Sequence, residues 1–214
     1  ALSMDKIRTK LLWQGAGFNT PDFRVLEANS DWDAVITDLG TVFVKPSLEG
    51  SSLGMAKAST GNELQAAYQH AVTYGTEVLA EQFIEGAEYT TAILGDEALP
   101  SIRIEVPGDF YDFEAKYRSD ETQFFCPSGL DSHDEAALAQ LASSAFQAVG
   151  CEVWGRVDVI RDQLGAWHLL EVNTVPGMTS HSLVPLAAKA AGLSLADLMS
   201  RIYADSLGVR HAQD

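Results

Sequence analysis

The sequence predicts an α+β fold built from two units with antiparallel sheets. Three observations support this prediction. Short strand and helix patterns alternate up to about residue 78, longer strand patterns dominate after it, and helical apolar spacing closes the chain. The 214 residues are 46% hydrophobic and 21% charged, which is the composition of an ordinary globular protein with a substantial core.

The first unit is predicted to open with a helix. Ser3 precedes MDKIRTKLLWQGAG, whose first turn carries Asp5 and whose end carries two glycines, so we expect Ser3 to cap this helix. Thr60 and Glu63 have the spacing of a capping box, which predicts a second helix over NELQAAYQHAVTYG. The remaining patterns predict strands at FRVLE, TVFVKPS and GMAKAS and a helix at DWDAVITDLG.

The second unit is predicted to be mostly antiparallel. Ser132 and Glu135 predict the start of a helix over residues 132–149, and helical spacing recurs in LVPLAAKAAG and SLADLMSRIYADSLG. The turn sequence DQLG predicts that the last two strands form a hairpin. The strand patterns of this unit are EVLAEQFI, EYTTAILG, SIRIEV, GRVDVIRD and WHLLEVN.

Composition also limits the partners of this protein. Thirty acidic and fourteen basic residues give a formal charge of −16, which repels polyphosphate backbones, so we expect no nucleic-acid partner. No apolar run approaches the ~20 residues that a membrane span needs, so we expect no membrane association. Cys126 and Cys151 are too few for a disulfide framework, and this favours a reducing, cytoplasmic setting.

The predicted hairpin carries polar side chains in an otherwise apolar pair of strands. Strand alternation places Glu171 and Asn173 on one face, and it places Arg156 and Asp158 together on one face of the partner strand. If the two faces match, three oxygen donors and a guanidinium converge. Crowded carboxylates require a cation, and such hard oxygen ligands suit Mg²⁺. A solvated strand face is the alternative interpretation.

Two further segments indicate an anion-binding site. Residues 42–57, VFVKPSLEGSSLGMAK, place a lysine beside a loop of glycines and serines, which allows backbone N–H groups to approach an anion, although a flexible turn would look the same. This segment lacks the Walker A pattern. The polar segment 113–127, FEAKYRSDETQFFCP, fits a loop that closes over a charged ligand or an ordinary solvated connector.

Together, five ordered segments closely resemble the D-alanine–D-alanine ligases of the ATP-grasp superfamily: LSMDK, VKPSLEGSSLGM, EAKYRSDETQFFCP, GRVDVI and LLEVNTVPGMTSHSLVP. The resemblance implies a central subdomain at about residues 1–80 and a carboxy-terminal subdomain at about 81–214, which hold ATP between two antiparallel sheets. The family has a further amino-terminal domain, and the resemblance implies that the chain begins after it. It also implies a cytoplasmic homodimer.

The resemblance assigns roles to individual residues. It implies ATP phosphate contacts from Lys6, Lys45 and Lys116 and a phosphate-covering loop with Ser51 and Ser52. Glu81 to Ile84 match the adenine-binding hinge, where Gln82 replaces a lysine that is frequent in relatives, and Glu88 matches the ribose ligand. The remaining matches are magnesium ligands at Asp158, Glu171 and Asn173, intermediate stabilisation by Arg156 and Gly177, binding of the second D-alanine by Ser182 and Leu183, and a tyrosine, Tyr117, that bonds Ser51.

The implied activity is ATP-dependent joining of two D-alanine molecules through an acylphosphate, with Mg²⁺ or substituting Mn²⁺, for peptidoglycan precursors. Loops 47–54 and 109–125 would exclude water from the acylphosphate. Two alternatives stay open. The chain could join D-alanine to another second substrate, such as D-serine or a hydroxy acid, although Tyr117 favours D-alanine, or it could be a fragment that binds nucleotide without ligase activity.

Overall fold

A computed structural model describes residues 2–50, 52–106, 122–179 and 181–208. These residues form a four-stranded and a six-stranded sheet, and all strand pairs in both are antiparallel. The predicted α+β class with two antiparallel sheets is confirmed.

The first helix, α1 (Lys6–Gly15), begins two residues later than a Ser3 cap would require. Asp5 is the N-cap, and its carboxylate accepts a hydrogen bond of 3.0 Å from the backbone N–H of Arg8. Ser3 lies instead in a short 3₁₀ turn. The prediction of a Ser3 cap is therefore wrong. Asp5 has a tertiary partner that fixes it, because Ser47 Oγ donates to it at 2.9 Å.

The first sheet has the strand order β1-β4-β2-β3. One face packs against two helices, α2 (Trp32–Leu39) and α3 (Gly61–Ala71), through a core that includes Val44, Leu64 and Ala80. The opposite face packs against Ile7 of α1. The strands are β1 (Phe23–Leu26), β2 (Val42–Pro46), β3 (Ala56–Ala58) and β4 (Val78–Gln82).

The predicted helix start at Thr60 is confirmed, with a variation on the expected box. The Thr60 side chain caps α3 by accepting from the Glu63 N–H, while the Glu63 carboxylate accepts from the N–H of Ser59 rather than that of Thr60. This arrangement satisfies two backbone donors at the junction of β3 and α3.

The second sheet has the order β10-β9-β5-β7-β8, with β6 paired to β5. One face packs against α4 (Ser132–Ala148) and against Trp13 of α1. Helix α1 therefore contacts both sheets, the first through Ile7 and the second through Trp13. The opposite face packs against α5 (Leu183–Ala190) and α6 (Leu195–Ser206). The strands are β5 (Gly86–Leu94), β6 (Glu97–Ala98), β7 (Ile102–Glu105), β8 (Gln123–Phe125), β9 (Trp154–Asp162) and β10 (Trp167–Asn173).

The cap of α4 also differs from the prediction. Asp131, not Ser132, accepts the hydrogen bond from the N–H of Asp134. Glu135 bonds outside the helix, where its carboxylate accepts from the Ser101 N–H and the Ser128 hydroxyl. The helix was predicted correctly, but its first turn is fixed by neighbours that are remote in sequence.

The predicted division at residues 80 and 81 falls inside β4, which stays in the first sheet up to Gln82. The sheets separate at residues 83–85, and the division into subdomains stays a prediction.

Among the described residues, no single helix is long and apolar enough to cross a membrane. Helices α5 and α6 reach such a length and composition only as a pair, and they are bent by 104° relative to each other.

Candidate active site

A cleft of about 760 Å³ lies between the two sheets. The first sheet contributes β2, β4 and the loop after β2, while the second contributes β5, β7, β9 and β10. Among the residues predicted for the site, those that line the cleft are Lys6, Lys45, Ser52, Glu81, Gln82, Ile84, Glu88, Asp158 and Glu171.

The β9–β10 hairpin brings the predicted oxygen donors together. Glu171 pairs with Asp158, and Asn173 pairs with Arg156, so all four side chains share one face. A bulge at Leu170 makes this possible, because the register shifts between Leu169 and Glu171. Without the extra residue, alternation would place Glu171 on the same core-facing side as Leu169.

Asp158 is nearly buried and accepts hydrogen bonds from three side chains. Arg156 binds it through Nε and Nη2, each at 2.8 Å, in a bidentate pair. Asn173 Nδ2 donates to it at 2.9 Å, and Thr90 Oγ1 donates at 2.5 Å. The carboxylate is therefore held in one orientation at the wall of the cleft.

These residues fit a magnesium ion by their chemistry. Asp158 and Glu171 offer carboxylate oxygens, and the Asn173 amide lies against both, with Nδ2 at 2.9 Å from Asp158 and 3.4 Å from Glu171. Rotation of that amide by half a turn would present its oxygen in the same direction. Two carboxylates and an amide oxygen are the hard donors that Mg²⁺ prefers, and they leave positions for water and phosphate.

Lys6, at the start of α1, faces the carboxylate of Glu171. Its Nζ lies 3.5 Å from Glu171 Oε2 and donates to the Glu49 carbonyl at 2.6 Å. The Lys6 N–H also donates to the Ser47 carbonyl, which ties the start of α1 to the loop after β2. A cation of α1 is thus adjacent to one of the two carboxylates that line the cleft.

A second cluster lies at the base of the cleft. Glu81 is buried and forms ion pairs with Lys45, on the neighbouring strand, and with Lys10, at 2.5 Å, on α1. Burial acts to raise the pKa of Glu81, but the two lysines outweigh it and hold that pKa below its ordinary value. The carboxylate is therefore ionised at neutral pH.

The loop after β2 is anchored at both ends. Ser47 is fully buried, and its N–H donates to the Glu77 carbonyl at 2.8 Å. Gly54 has a φ of +70°, and a Cβ there would lie 2.7 Å from the Tyr74 ring, so this position requires glycine. Ser52 adopts a φ of 57°, a conformation that is uncommon for a residue with a side chain.

Aromatic and apolar side chains form the other end of the cleft. Phe43 and Phe83 meet edge to face with ring centroids 5.5 Å apart, and Lys57 Nζ lies 4.2 Å from the centre of the Phe83 ring. Ile84 and Met55 add apolar surface nearby. A flat heterocyclic ring would find aromatic and aliphatic contacts here, beside the backbone of the predicted hinge.

The Gly177 and Ser182 segment lies at the start of α5. Ser182 is the N-cap residue, but its hydroxyl accepts from the Thr179 N–H at 3.0 Å, and a Cβ at Gly177 would lie 2.8 Å from Ser182 Oγ. The Leu183 side chain is buried in the core, so only its backbone N–H, at the first turn of a helix, suits an anion.

Three other predicted site residues, Ser51, Lys116 and Tyr117, lie outside the described residues.

The family model for the carboxy-terminal part of D-Ala–D-Ala ligases matches residues 12–204. The chain belongs to the D-alanine–D-alanine ligase family. Two ligases of this name, from Nitrosospira multiformis and Alcanivorax borkumensis, are 54% and 55% identical to it over 99% and 97% of the chain. The chain spans 68% and 66% of their respective lengths, or about two thirds.

Solved structures of ligases show the same ATP-grasp fold. The D-alanine–D-alanine ligase from Bacillus anthracis superimposes with a TM-score of 0.85 at 31% identity, covering 97% of this chain and 68% of its own. The same enzyme complexed with ATP gives 0.83 at 28% identity, covering 97% and 67%. The VanG D-Ala:D-Ser ligase from Enterococcus faecalis gives 0.83 at 31% identity, covering 98% and 62%.

Sequence reasoning missed two polar residues that contact predicted site residues, Lys10 and Thr90. Lys10 lies four positions after Lys6, so helical spacing places both on one face of α1. Thr90 lies two positions after Glu88 on β5 and pairs across the strands with Asp158. Both periodicities were visible in the sequence, but only the packing of α1 and β5 shows which side chains they meet.

Proposed function

We propose that this protein uses its cleft to bind Mg²⁺-ATP and joins two D-alanine molecules, forming a peptidoglycan precursor. The observation that supports this most directly is the position of Lys6 and Lys45 opposite Asp158 and Glu171 across one cleft. Lys6 on α1 and Lys45 on β2 would bind phosphate oxygens, and the carboxylates of β9 and β10 would bind the metal. The ATP complex of the Bacillus anthracis ligase supports the choice of nucleotide.

In this proposal Asp158, Glu171 and Asn173 hold Mg²⁺, with Mn²⁺ as a substitute. When bound, the ion neutralises charge on the phosphates of ATP and on the transferring phosphoryl group. Arg156 and Thr90 keep Asp158 oriented before the ion arrives. The adenine would lie between the aromatic end of the cleft and the hinge from Glu81 to Ile84, with Gln82 at the purine edge and the ribose at Glu88.

The reaction has two steps. A carboxylate oxygen of the first D-alanine attacks the γ-phosphorus of ATP, the bond to the bridging oxygen breaks, and ADP leaves. The amine nitrogen of the second D-alanine then attacks the acyl carbon, loses a proton and expels phosphate. Arg156 and the Gly177 N–H would stabilise the oxyanion of the tetrahedral intermediate. Ser182 and the Leu183 N–H would hold the second carboxylate.

The remaining assignments rest on the family resemblance. Lys116 would contact phosphate, while Ser51 and Tyr117 would bond between the two covering loops, and Ser52 would contribute to the phosphate loop. Water excluded by these loops cannot hydrolyse the acylphosphate. A cytoplasmic location and a homodimeric state belong to the same proposal.

Phosphate release tests the proposal. With ATP and Mg²⁺ present, we expect release that depends on D-alanine and not on L-alanine, and the dipeptide should form in equal amount. Arg156→Lys, which cannot keep the bidentate pair with Asp158, should lower kcat by about 10²-fold. Lys189→Arg, an exchange of exposed cations on α5, is the matched control. Nucleotide binding without D-alanine-dependent release would instead support a nucleotide-binding role alone.

Second-substrate choice is tested in the same assay. The likeness to a D-Ala:D-Ser ligase makes D-serine the natural competitor, with D-lactate as the hydroxy acid. We expect D-alanine to be preferred over both as the attacking substrate. Preferential formation of D-alanyl-D-serine or of a depsipeptide would assign the chain to the other class of ligase.

A further inference from the structure

Lys10 is a fully buried lysine that forms one ion pair and one hydrogen bond beneath the cleft. Its Nζ lies 2.5 Å from Glu81 Oε2 and donates to Thr20 Oγ1 at 2.6 Å. Thr20 in turn donates to the Leu169 carbonyl at 2.7 Å. A lysine is almost never fully buried unless it is paired. Burial lowers the pKa of Lys10 below its ordinary value, and the Glu81 carboxylate opposes this effect by favouring the charged form.

The charges of the cluster show what Lys10 changes. Glu81 lies between Lys10 and Lys45, so one negative charge is shared by two positive charges. With Lys10 present the three groups sum to one positive charge, and that charge is on the side that faces the cleft, where Lys45 lines the wall. Without Lys10, Glu81 would neutralise Lys45 completely, and the cleft would offer an anion less attraction at this position.

The hydrogen bonds of Lys10 also connect the two halves of the fold. Thr20 binds the Leu169 carbonyl immediately before the bulge that turns Glu171 toward the cleft. Lys10 therefore contacts both the carboxylate that positions Lys45 and a hydroxyl that binds the strand carrying Glu171. A single buried ammonium group links the predicted phosphate side and the predicted metal side of the site.

We propose that Lys10 is a positioning residue for nucleotide phosphate binding, which neutralises Glu81 so that Lys45 keeps its positive charge for the ligand. The inference rests on the proposed function, in which Lys45 binds ATP phosphates. Lys10 itself does not touch the nucleotide, since the Glu81 carboxylate lies between it and Lys45. Its effect should therefore appear in affinity for the phosphates and not in affinity for the nucleoside.

The test compares ATP with adenosine, each titrated with Mg²⁺ into the protein. Lys10→Met should weaken ATP binding by about tenfold, the size expected for a hydrogen bond to a charged group, while the adenosine affinity stays within about twofold. The double variant Lys10→Met with Glu81→Gln removes both charges and leaves Lys45 positive. Its ratio of ATP to adenosine affinity should return to within about threefold of the wild type.

Two controls keep the result decisive. Lys189→Met removes an exposed lysine of α5 and should leave both affinities unchanged. If Lys10→Met alone does not fold, Thr20→Val takes its place, because it removes only the hydroxyl that accepts a hydrogen bond from Lys10. Thr20→Val should lower the ratio of ATP to adenosine affinity by about threefold, and the double variant Lys10→Met with Glu81→Gln should keep the wild-type ratio. Equal loss of ATP and adenosine affinity, or no recovery in the double variant, would show that Lys10 serves folding only. Failure of the wild type to bind ATP would overturn the proposed function as well.

Discussion

Asp5 shows how one residue can connect a helix end with a ligand loop. It caps α1 and accepts a hydrogen bond of 2.9 Å from the Ser47 hydroxyl. Ser47 is the first residue of the loop after β2, the loop that contains Ser52. Burial acts to raise the pKa of Asp5, but its bonds from Arg8 and Ser47 prevail and hold that pKa below the ordinary value of 3.8. The ionised form is therefore favoured in the folded state.

The first prediction concerns Asp5→Asn, which keeps a capping oxygen and removes the charge. We expect a loss of about 1 kcal/mol in the free energy of unfolding at neutral pH, because the bonds to a charged acceptor weaken. A depressed folded-state pKa stabilises the protein above the unfolded value and loses that effect as the pH falls through the folded value. The difference in the free energy of unfolding between the variant and the wild type should therefore shrink as the pH falls below 3.8, the ordinary pKa of an aspartate.

Urea unfolding at several pH values checks this prediction. Glu27→Gln, a change of an exposed carboxylate between β1 and α2, serves as the control and should have a small effect at every pH. A constant difference between Asp5→Asn and the wild type from neutral pH down to about pH 3 would contradict the linkage argument.

The helix caps also show the limit of what the sequence can predict at this scale. At the start of α1, Ser3 and Asp5 are equally suitable as caps by residue type, and the same is true of Asp131 and Ser132 at the start of α4. The local sequence could therefore not decide between the two residues of each pair. The choice depends on partners remote in sequence, such as Ser47 for Asp5. The burial of Lys10 was not predicted either, because a lysine in a helix is ordinarily solvated and its partners Glu81 and Thr20 are not in the same helix.

At the scale of elements, the β9–β10 hairpin decides the chemistry of the site. Its strands and its turn were predictable from alternation and from DQLG, and the expectation that Glu171 and Asn173 share a face is confirmed. The bulge was not predicted, because strict alternation would place Leu169 and Glu171 on one face. Leu169 and Val172 are both buried although they lie three positions apart, which strict alternation does not allow and which the extra residue of the bulge explains.

A glycine lets the same hairpin pack closely against α4. A Cβ at Gly155 would lie 2.5 Å from the Phe146 ring and 2.9 Å from the Asn173 carbonyl. We expect Gly155→Ala to cost about 1–3 kcal/mol of stability, as overpacking does, and to weaken Mg²⁺-ATP binding by displacing Asn173. Urea unfolding and nucleotide titration measure the two effects.

Gly15→Ala is the matched control for this change. A Cβ at Gly15, the last residue of α1, meets no atom within 4 Å, so alanine should be neutral or slightly stabilising there. If Gly155→Ala were as stable as Gly15→Ala and bound nucleotide as tightly as the wild type, the close approach at Gly155 would have no functional consequence.

At the scale of the whole molecule, both sheets line one cleft, in which we propose that the nucleotide binds. The chain has a formal charge of −16, yet the cleft gathers Lys6 and Lys45 from the first half and sets them against Asp158 and Glu171 of the second. The two antiparallel sheets and the presence of these four residues in one cleft could be predicted from the sequence and its family resemblance. Their distances could not, because they depend on how α1 packs between the sheets.

Calorimetric titration with ATP, once with Mg²⁺ and once with a chelator in its place, tests this site directly. We predict that the wild type binds ATP much more tightly with Mg²⁺, and that Glu171→Gln loses at least about tenfold of this gain because a metal ligand is missing. Glu97→Gln, which alters an exposed carboxylate that pairs with Arg201, should keep the full gain. An unchanged gain from Mg²⁺ in Glu171→Gln would contradict a metal site at this position, since the carboxylates of β9 and β10 would then not form the metal side of the cleft.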